Sequence, residues 1–215
     1  MADRTLYDST NMAAIPPDAQ IVAGYPYAFP TDYTAFPHAL QVRIDQHGNH
    51  ADTCHVVDVE AGTVTIATAR QWVASWHLLH PNGLAAVNGW FDQPTVYIQE
   101  SSLQALRQAL VGEVYDVWVA WWSRGTAPVS GTSLLQYASP TSTPRTAGDY
   151  DQSVVYDSTW GVAGSTPPPP AWQSQALGMA VEIQADATDL VTLLKAHDPG
   201  LAMPGNEYSV KLDGE

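Results

Sequence analysis

The first chemistry this sequence offers is a pair of carboxyls two residues apart. In Cys54-His55-Val56-Val57-Asp58-Val59-Glu60-Ala61-Gly62-Thr63 an apolar run ends in Asp-Val-Glu and turns at Ala-Gly-Thr. If the run is a buried strand, Asp58 and Glu60 point to the same face, because strand side chains alternate with a period of two. Two carboxyls on one face repel each other and are costly to desolvate. Glycoside hydrolysis has a use for such a pair, a proton donor beside a charge-stabilising partner. Two solvated acids closing a strand, or a cation site, would give the same pattern.

A second cluster lies just upstream. His47, His50, Cys54 and His55 stand close together in sequence and near Asp45 and Asp58, a composition that a metallohydrolase could use. Their spacing fits no zinc signature, and a polar loop running into a strand has the same composition. The chain has no phosphate loop, no dinucleotide fingerprint and no Gly-x-Ser-x-Gly elbow. Ser9, Ser139 and Ser158 read as turn residues near strand ends rather than nucleophiles.

Strands are expected at residues 5–8, 21–27, 39–45, 55–60 and 95–98, several of them ending in an acid. Helical spacing of Ile66, Ala69, Trp72, Val73, Trp76 and Leu79 predicts a helix over residues 65–79, stopped by Pro81-Asn82-Gly83. Leu103, Leu106 and Leu110 predict a second over 101–110. Residues 117–122, 133–138 and 151–156 then read as three strands joined by Gly-, Pro-, Ser- and Thr-rich segments without helical pattern. The expected fold is α/β, a TIM-like barrel of (β/α)5(β)3 type with short, degenerate helices, whose site lies where the C-terminal strand ends converge. The expected domains are a barrel over 1–163, a Pro-rich linker over 164–171, and a small α+β unit or docking tail over 172–215 that packs on the barrel or on a protein partner.

Totals narrow the function classes. The 215 residues are 45% hydrophobic, only 14% charged, and carry a net charge of −14. That balance argues against a nucleic-acid binder and against docking on anionic lipid. No apolar stretch is long enough to span a membrane, and the start lacks the basic and apolar regions of a signal peptide. Export, if it happens, needs another route. A single cysteine excludes an internal disulfide, and 8 Trp with 10 Tyr are consistent with stacking on sugars as well as with core packing.

From Leu6 to Tyr156 the chain resembles the glycoside hydrolase family 25 lysozymes, N-acetylmuramidases of bacteria and their phages. Leu6-Tyr7-Asp8-Ser9 stands where the family's first strand carries an acid, and Asp58-Val59-Glu60 matches its fourth-strand Asp-x-Glu. Pro94-Thr95-Val96-Tyr97 is similar to its fifth-strand Pro-x-x-Tyr, and Val117-Trp118-Val119-Ala120 to its sixth-strand Leu-Trp-x-Ala. Leu135-Gln136-Tyr137-Ala138 resembles Trp-Gln-Tyr-Ser without the Trp and the Ser. Tyr150-Asp151-Gln152-Ser153 keeps the acid of Val-Asp-x-Asn and lacks its Asn. Tyr-Asp-Ser-Thr occurs twice, at residues 7–10 and 156–159, so Asp157 rivals Asp151 as the last acid.

The resemblance implies a (β/α)5(β)3 barrel that cleaves the β-1,4 bond between N-acetylmuramic acid and N-acetylglucosamine in peptidoglycan glycan strands. It makes Glu60 the general acid and Asp58 the carboxylate that steadies developing positive charge, with Asp8 and Asp151 completing an acidic cup. Tyr25, Tyr97, Trp118, Trp121, Trp122 and Tyr137 are expected sugar contacts, about half of them plain core, because strand side chains alternate in and out of a barrel. No metal or cofactor is required. The alternative is a catalytically weak or inactive barrel that binds glycan or serves as a structural component, for example of a phage particle.

Overall fold

The structure is a computed structural model that describes residues 4–162. The expected linker and C-terminal unit lie outside the described residues. Ten strands, β1 (Arg4–Asp8), β2 (Ile21–Gly24), β3 (Leu40–Asp45), β4 (Val56–Val59), β5 (Leu84–Ala86), β6 (Gly89–Phe91), β7 (Thr95–Gln99), β8 (Asp116–Ala120), β9 (Leu134–Ala138) and β10 (Asp151–Val155), occur with two α-helices, α1 (Ile66–Leu79) and α2 (Leu103–Ala109). Eight strands close a barrel in the order β1-β10-β9-β8-β7-β4-β3-β2. Neighbours from β1 through to β9 are parallel, and β10 runs antiparallel to both β1 and β9.

The barrel matches the expectation, but α-helices follow only β4 and β7 among the described residues. After β1 comes a single 3-10 turn, Met12–Ala14, and the segments after β2 and β3 are irregular. Prolines at 26, 30 and 37 break up the β2–β3 connection. A small cluster of Met12, Ile15, Val22, Phe36 and Ala39 packs there instead, with Tyr7, Tyr33 and Tyr150 against it. Loop side chains thus cover the outer side of β1 and β2, where a regular barrel would use helices.

α1 starts at Thr65, whose hydroxyl accepts the Thr68 N–H, and buries Ala69, Trp72, Val73 and Trp76 against the barrel. Leu79 is exposed, so the apolar stripe ends one turn earlier than its spacing suggests. The indole of Trp76 donates to the Cys54 carbonyl at 3.1 Å, and that of Trp72 to Oδ2 of Asp45 at 2.9 Å. Asp45 is fully buried and also accepts the backbone N–H groups of His47, Gly48 and His50 at 2.8, 3.0 and 2.6 Å. One carboxylate therefore folds the turn after β3 and ties it to α1.

The hairpin β5–β6 was not expected. Its tight turn places Asn88 at φ 60, and Asn88 Nδ2 donates to the carbonyls of Pro37 and Ala39. Asn88 was the available signal, since asparagine tolerates the left-handed conformation that this turn position requires. Phe91 from β6 meets Trp160 edge to face at 5.0 Å, and the Trp160 indole donates to Oγ1 of buried Thr95. Arg4 Nη2 donates to the Trp160 carbonyl, and because Thr95 and Arg4 begin their strands, this packing closes the barrel at its N-terminal end.

Asp45→Ala removes the acceptor of four hydrogen bonds. It is expected to cost about 3 kcal/mol, since bonds to charged groups are each worth roughly 1.5–3 kcal/mol but the freed N–H groups regain water. A urea titration should show a lower midpoint with an unchanged slope.

Candidate active site

Strand register decides which acids meet. Asp8 is the last residue of β1 and pairs with Asp151, the first of β10, because β10 runs antiparallel. Asp58 lies in β4 opposite Tyr97 of β7, and Glu60 follows one residue after the strand ends. Asp8, Asp58, Glu60 and Asp151 therefore gather at one barrel end, from three strands. Asp157 does not join them. It follows Val155, which pairs with Arg4 at the opposite end, and its Oδ1 accepts the N–H and hydroxyl of Thr159. The rivalry between the two repeated segments is settled by strand direction.

The Ala-Gly-Thr turn holds Glu60 clear of the ladder. Glu60 N–H donates to Oγ1 of Thr63 at 2.8 Å, and that hydroxyl donates to the Asp58 carbonyl at 2.9 Å. Gly62 sits at φ +92 with open space where a Cβ would be, so the backbone conformation alone selects glycine. Asp8 and Asp58 are 3% and 2% exposed, whereas Glu60 and Asp151 are half-buried. Deep burial and the approach from solvent thus fall to different pairs of acids.

Three of the four acids each have one neutral side-chain donor. Tyr25 O–H donates to Oδ2 of Asp8 at 3.2 Å, Gln46 Nε2 to Oδ2 of Asp58 at 3.1 Å, and Gln136 Nε2 to Oδ2 of Asp151 at 2.6 Å. Oδ1 of Asp8 and Oδ1 of Asp58 have no partner. Burial, and then the neighbouring Asp151, hold Asp8 well above the ordinary carboxyl range. Burial and then Glu60 push Asp58 up to about 7, against the Gln46 donor. Burial raises Asp151 to about 6, opposed by Gln136. Burial, followed by the nearby carboxyls, also raises the phenols of Tyr25 and Tyr97. Near neutral pH the cup holds protons that exposed carboxyls would have lost.

Gln46 and Gln136 are site residues that the sequence reading missed. Both were legible from parity. Val42, Ile44 and Gln46 share one side of their segment, as do Leu134, Gln136 and Ala138, and the buried register identifies that side as the interior.

The expected sugar contacts divide. Tyr25 and Tyr97 belong to the cup. Trp118 is a correction: it has no exposed surface, meets Tyr97 edge to face at 5.2 Å and donates its indole N–H to Ser153, so it is core. Tyr137 is another, since it stands on the opposite face of β9 from Gln136, near Tyr7 and Tyr150 on the barrel's outer side. Trp121 and Trp122 line a cavity of about 400 Å³ with Gln99, Glu100 and Ser142, beyond the C-terminal ends of β7 and β8. The Arg124 guanidinium lies 4.7 Å over the Trp121 ring. A smaller cavity of about 110 Å³, lined by Asp8, Tyr25, Asp149, Tyr150 and Asp151, opens beside the Asp8–Asp151 pair.

The histidine-rich loop is taken up by structure. His55 Nδ1 accepts the Arg43 N–H and its Nε2 meets the Ala85 carbonyl, while His50 stacks on Tyr27 at 3.5 Å. Cys54 is buried, and burial pushes its thiol up to about 12. Among the described residues no three His, Cys, Asp or Glu side chains converge to hold a metal ion. Ser9 and Ser139 serve turns, Ser9 through the Asp149 carbonyl and Asn11 N–H, Ser139 through the N–H groups of Thr141 and Ser142. No described helix is long and apolar enough to cross a membrane.

No family model and no curated protein matches the chain. Among solved structures it is distantly similar to a family GH25 lysozyme from Aspergillus fumigatus, with 11% identity, a TM-score of 0.49, and coverage of 73% of this chain and 95% of that one. At that level the likeness adds nothing to the site's chemistry, which rests on the strands and side chains above.

Raised carboxyls link the cup to stability. The folded protein keeps protons on Asp58 and Asp151 at pH values where the unfolded chain has released them, so stability falls as pH rises from about 4 through about 7. The melting temperature is expected to drop by several degrees across that window, and Asp58→Asn, neutral throughout, should flatten part of the drop. Thermal unfolding at a series of pH values checks both.

Proposed function

We propose that this barrel is a glycoside hydrolase acting on peptidoglycan, cleaving the β-1,4 bond between N-acetylmuramic acid and N-acetylglucosamine. The observation that carries the reading is the gathering of Asp8, Asp58, Glu60 and Asp151 at the end where the C-terminal ends of the parallel strands open. A barrel interior filled only for stability would not place four acids together, because each must be desolvated beside the others. Glycosidic cleavage needs such a site, to protonate a leaving oxygen and to balance positive charge on the sugar. The motif order set out in the sequence supplies the choice of substrate.

In this reading Glu60, half-buried at the mouth and fixed through Thr63, gives its proton to the scissile oxygen. Asp58, deeper and hydrogen-bonded by Gln46, steadies the developing charge at the sugar or its 2-acetamido group in the molecules in which it is already ionised. Asp8 and Asp151, paired across β1 and β10, complete the acidic cup beside them. Tyr25 and Tyr97 shape the floor, and the cavity beside Trp121 and Trp122 offers aromatic faces to a neighbouring sugar.

Purified protein should clear a suspension of peptidoglycan, with release of reducing ends. Glu60→Gln keeps the shape and removes the acid, and should lower the rate at least 100-fold. Folded parent protein that binds glycan without cleaving it would overturn the enzymatic reading and leave a binding or structural barrel.

A further inference from the structure

Asp58 is buried, Oδ2 accepts from Gln46 Nε2, and Oδ1 has no partner. Glu60 faces it from its own strand end, Asp8 from β1 with Asp151 beyond, and the phenols of Tyr25 and Tyr97 from the end of β2 and from β7. Among the described residues, Gln46 alone donates a side-chain hydrogen bond to Asp58. It is also rigidly placed. The next residues, His47, Gly48 and His50, point their N–H groups at Asp45, which is clamped in turn by the Trp72 indole. Gly48 adopts φ +71 in this turn, where a Cβ would meet Thr68 of α1 at 2.8 Å.

We propose that Gln46 is the positioning residue of the acid cup: its amide holds Oδ2 of Asp58 as an acceptor and so confines the Asp58 proton to Oδ1. An amide is suited to this, because it cannot titrate and adds no charge to a site already crowded with carboxyls. Its N–H favours the ionised form of Asp58, the form that can steady positive charge. The clamp on Asp45 means that α1, through Trp72, fixes the geometry of a group it does not touch. The catalytic consequence rests on the glycosidase reading, whereas the hold on the proton does not.

The test follows the Asp58 side-chain carboxyl by carbon NMR across a pH series in the labelled full chain, its signal assigned with Asp58→Asn. Gln46→Leu, which removes the donor and keeps the bulk, should raise the Asp58 midpoint by about one pH unit, the effect of losing one hydrogen bond to a charged group. In the parent protein the Gln46 amide protons should shift with the same midpoint. A midpoint that stays or falls in folded Gln46→Leu overturns the proposal. If that variant does not fold, amide protons indifferent to Asp58 titration in the parent overturn it. Lysis assays on the same samples separate the two readings. A lytic parent with an unmoved midpoint removes Gln46 from its role and leaves the enzyme. A moved midpoint without lysis keeps Gln46 and removes the muramidase.

Discussion

Barrel closure forces the side chains that alternate inward on neighbouring strands into one another's company, and here it does so with carboxyls. The closing strand β10 runs against both its neighbours, and that reversal sets Asp151 directly beside Asp8. Two acids at adjacent register positions in a closed interior cannot both be cheaply ionised. The arrangement of neutral donors around them follows from this constraint. A phenol serves Asp8, an amide serves Asp58 and another amide serves Asp151, while among the described residues no ion pair reaches the cup. A cation would have relieved the repulsion and stabilised the ionised forms. Its place is taken by groups that shape the protons without removing them.

The rest of the molecule supports that end of the barrel from a distance. Four tryptophans, Trp72, Trp76, Trp118 and Trp160, are buried, and each spends its indole N–H on an oxygen of the framework. Buried indoles need such partners, because a lost hydrogen bond is not recovered from water. The high aromatic content is therefore mostly structural. Among the described residues, Tyr25, Tyr150, Trp121 and Trp122 remain half-exposed at the site end. The division between tryptophans that build and tryptophans that meet solvent is made by depth along the strand: Trp118 lies within β8, and Trp121 and Trp122 just past its end.

With helices after only two of its strands, the barrel is held differently on its two sides. α1 and α2 pack where the strands β4 and β7 need cover, and loop residues do the same work over β1 and β2. Asp45 shows how such a scaffold still positions a site. Its four hydrogen bonds turn a polar, glycine-containing loop into a fixed element, and the residue before that loop is Gln46. In sequence Asp45 looks like one more acid at a strand end. In the fold it points outward to α1, and its neighbour Gln46 points inward to Asp58.

Local periodicity in the sequence determined the eight barrel strands, both helices and the Asp58–Glu60 pair, because each is a property of a few consecutive residues. Alternation along single strands also carried the inward parity of Gln46 and Gln136 and the outward parity of Tyr137, although it becomes readable only once one residue of each strand is known to face the interior. Strand direction and register were decided by the tertiary structure alone. They set Asp151 rather than Asp157 beside Asp8, sank Trp118 into the core, and brought the acids of β1, β4 and β10 to one end. Those outcomes depend on pairings between residues up to a whole domain apart, and on the loss of water around them, which no short stretch of sequence encodes.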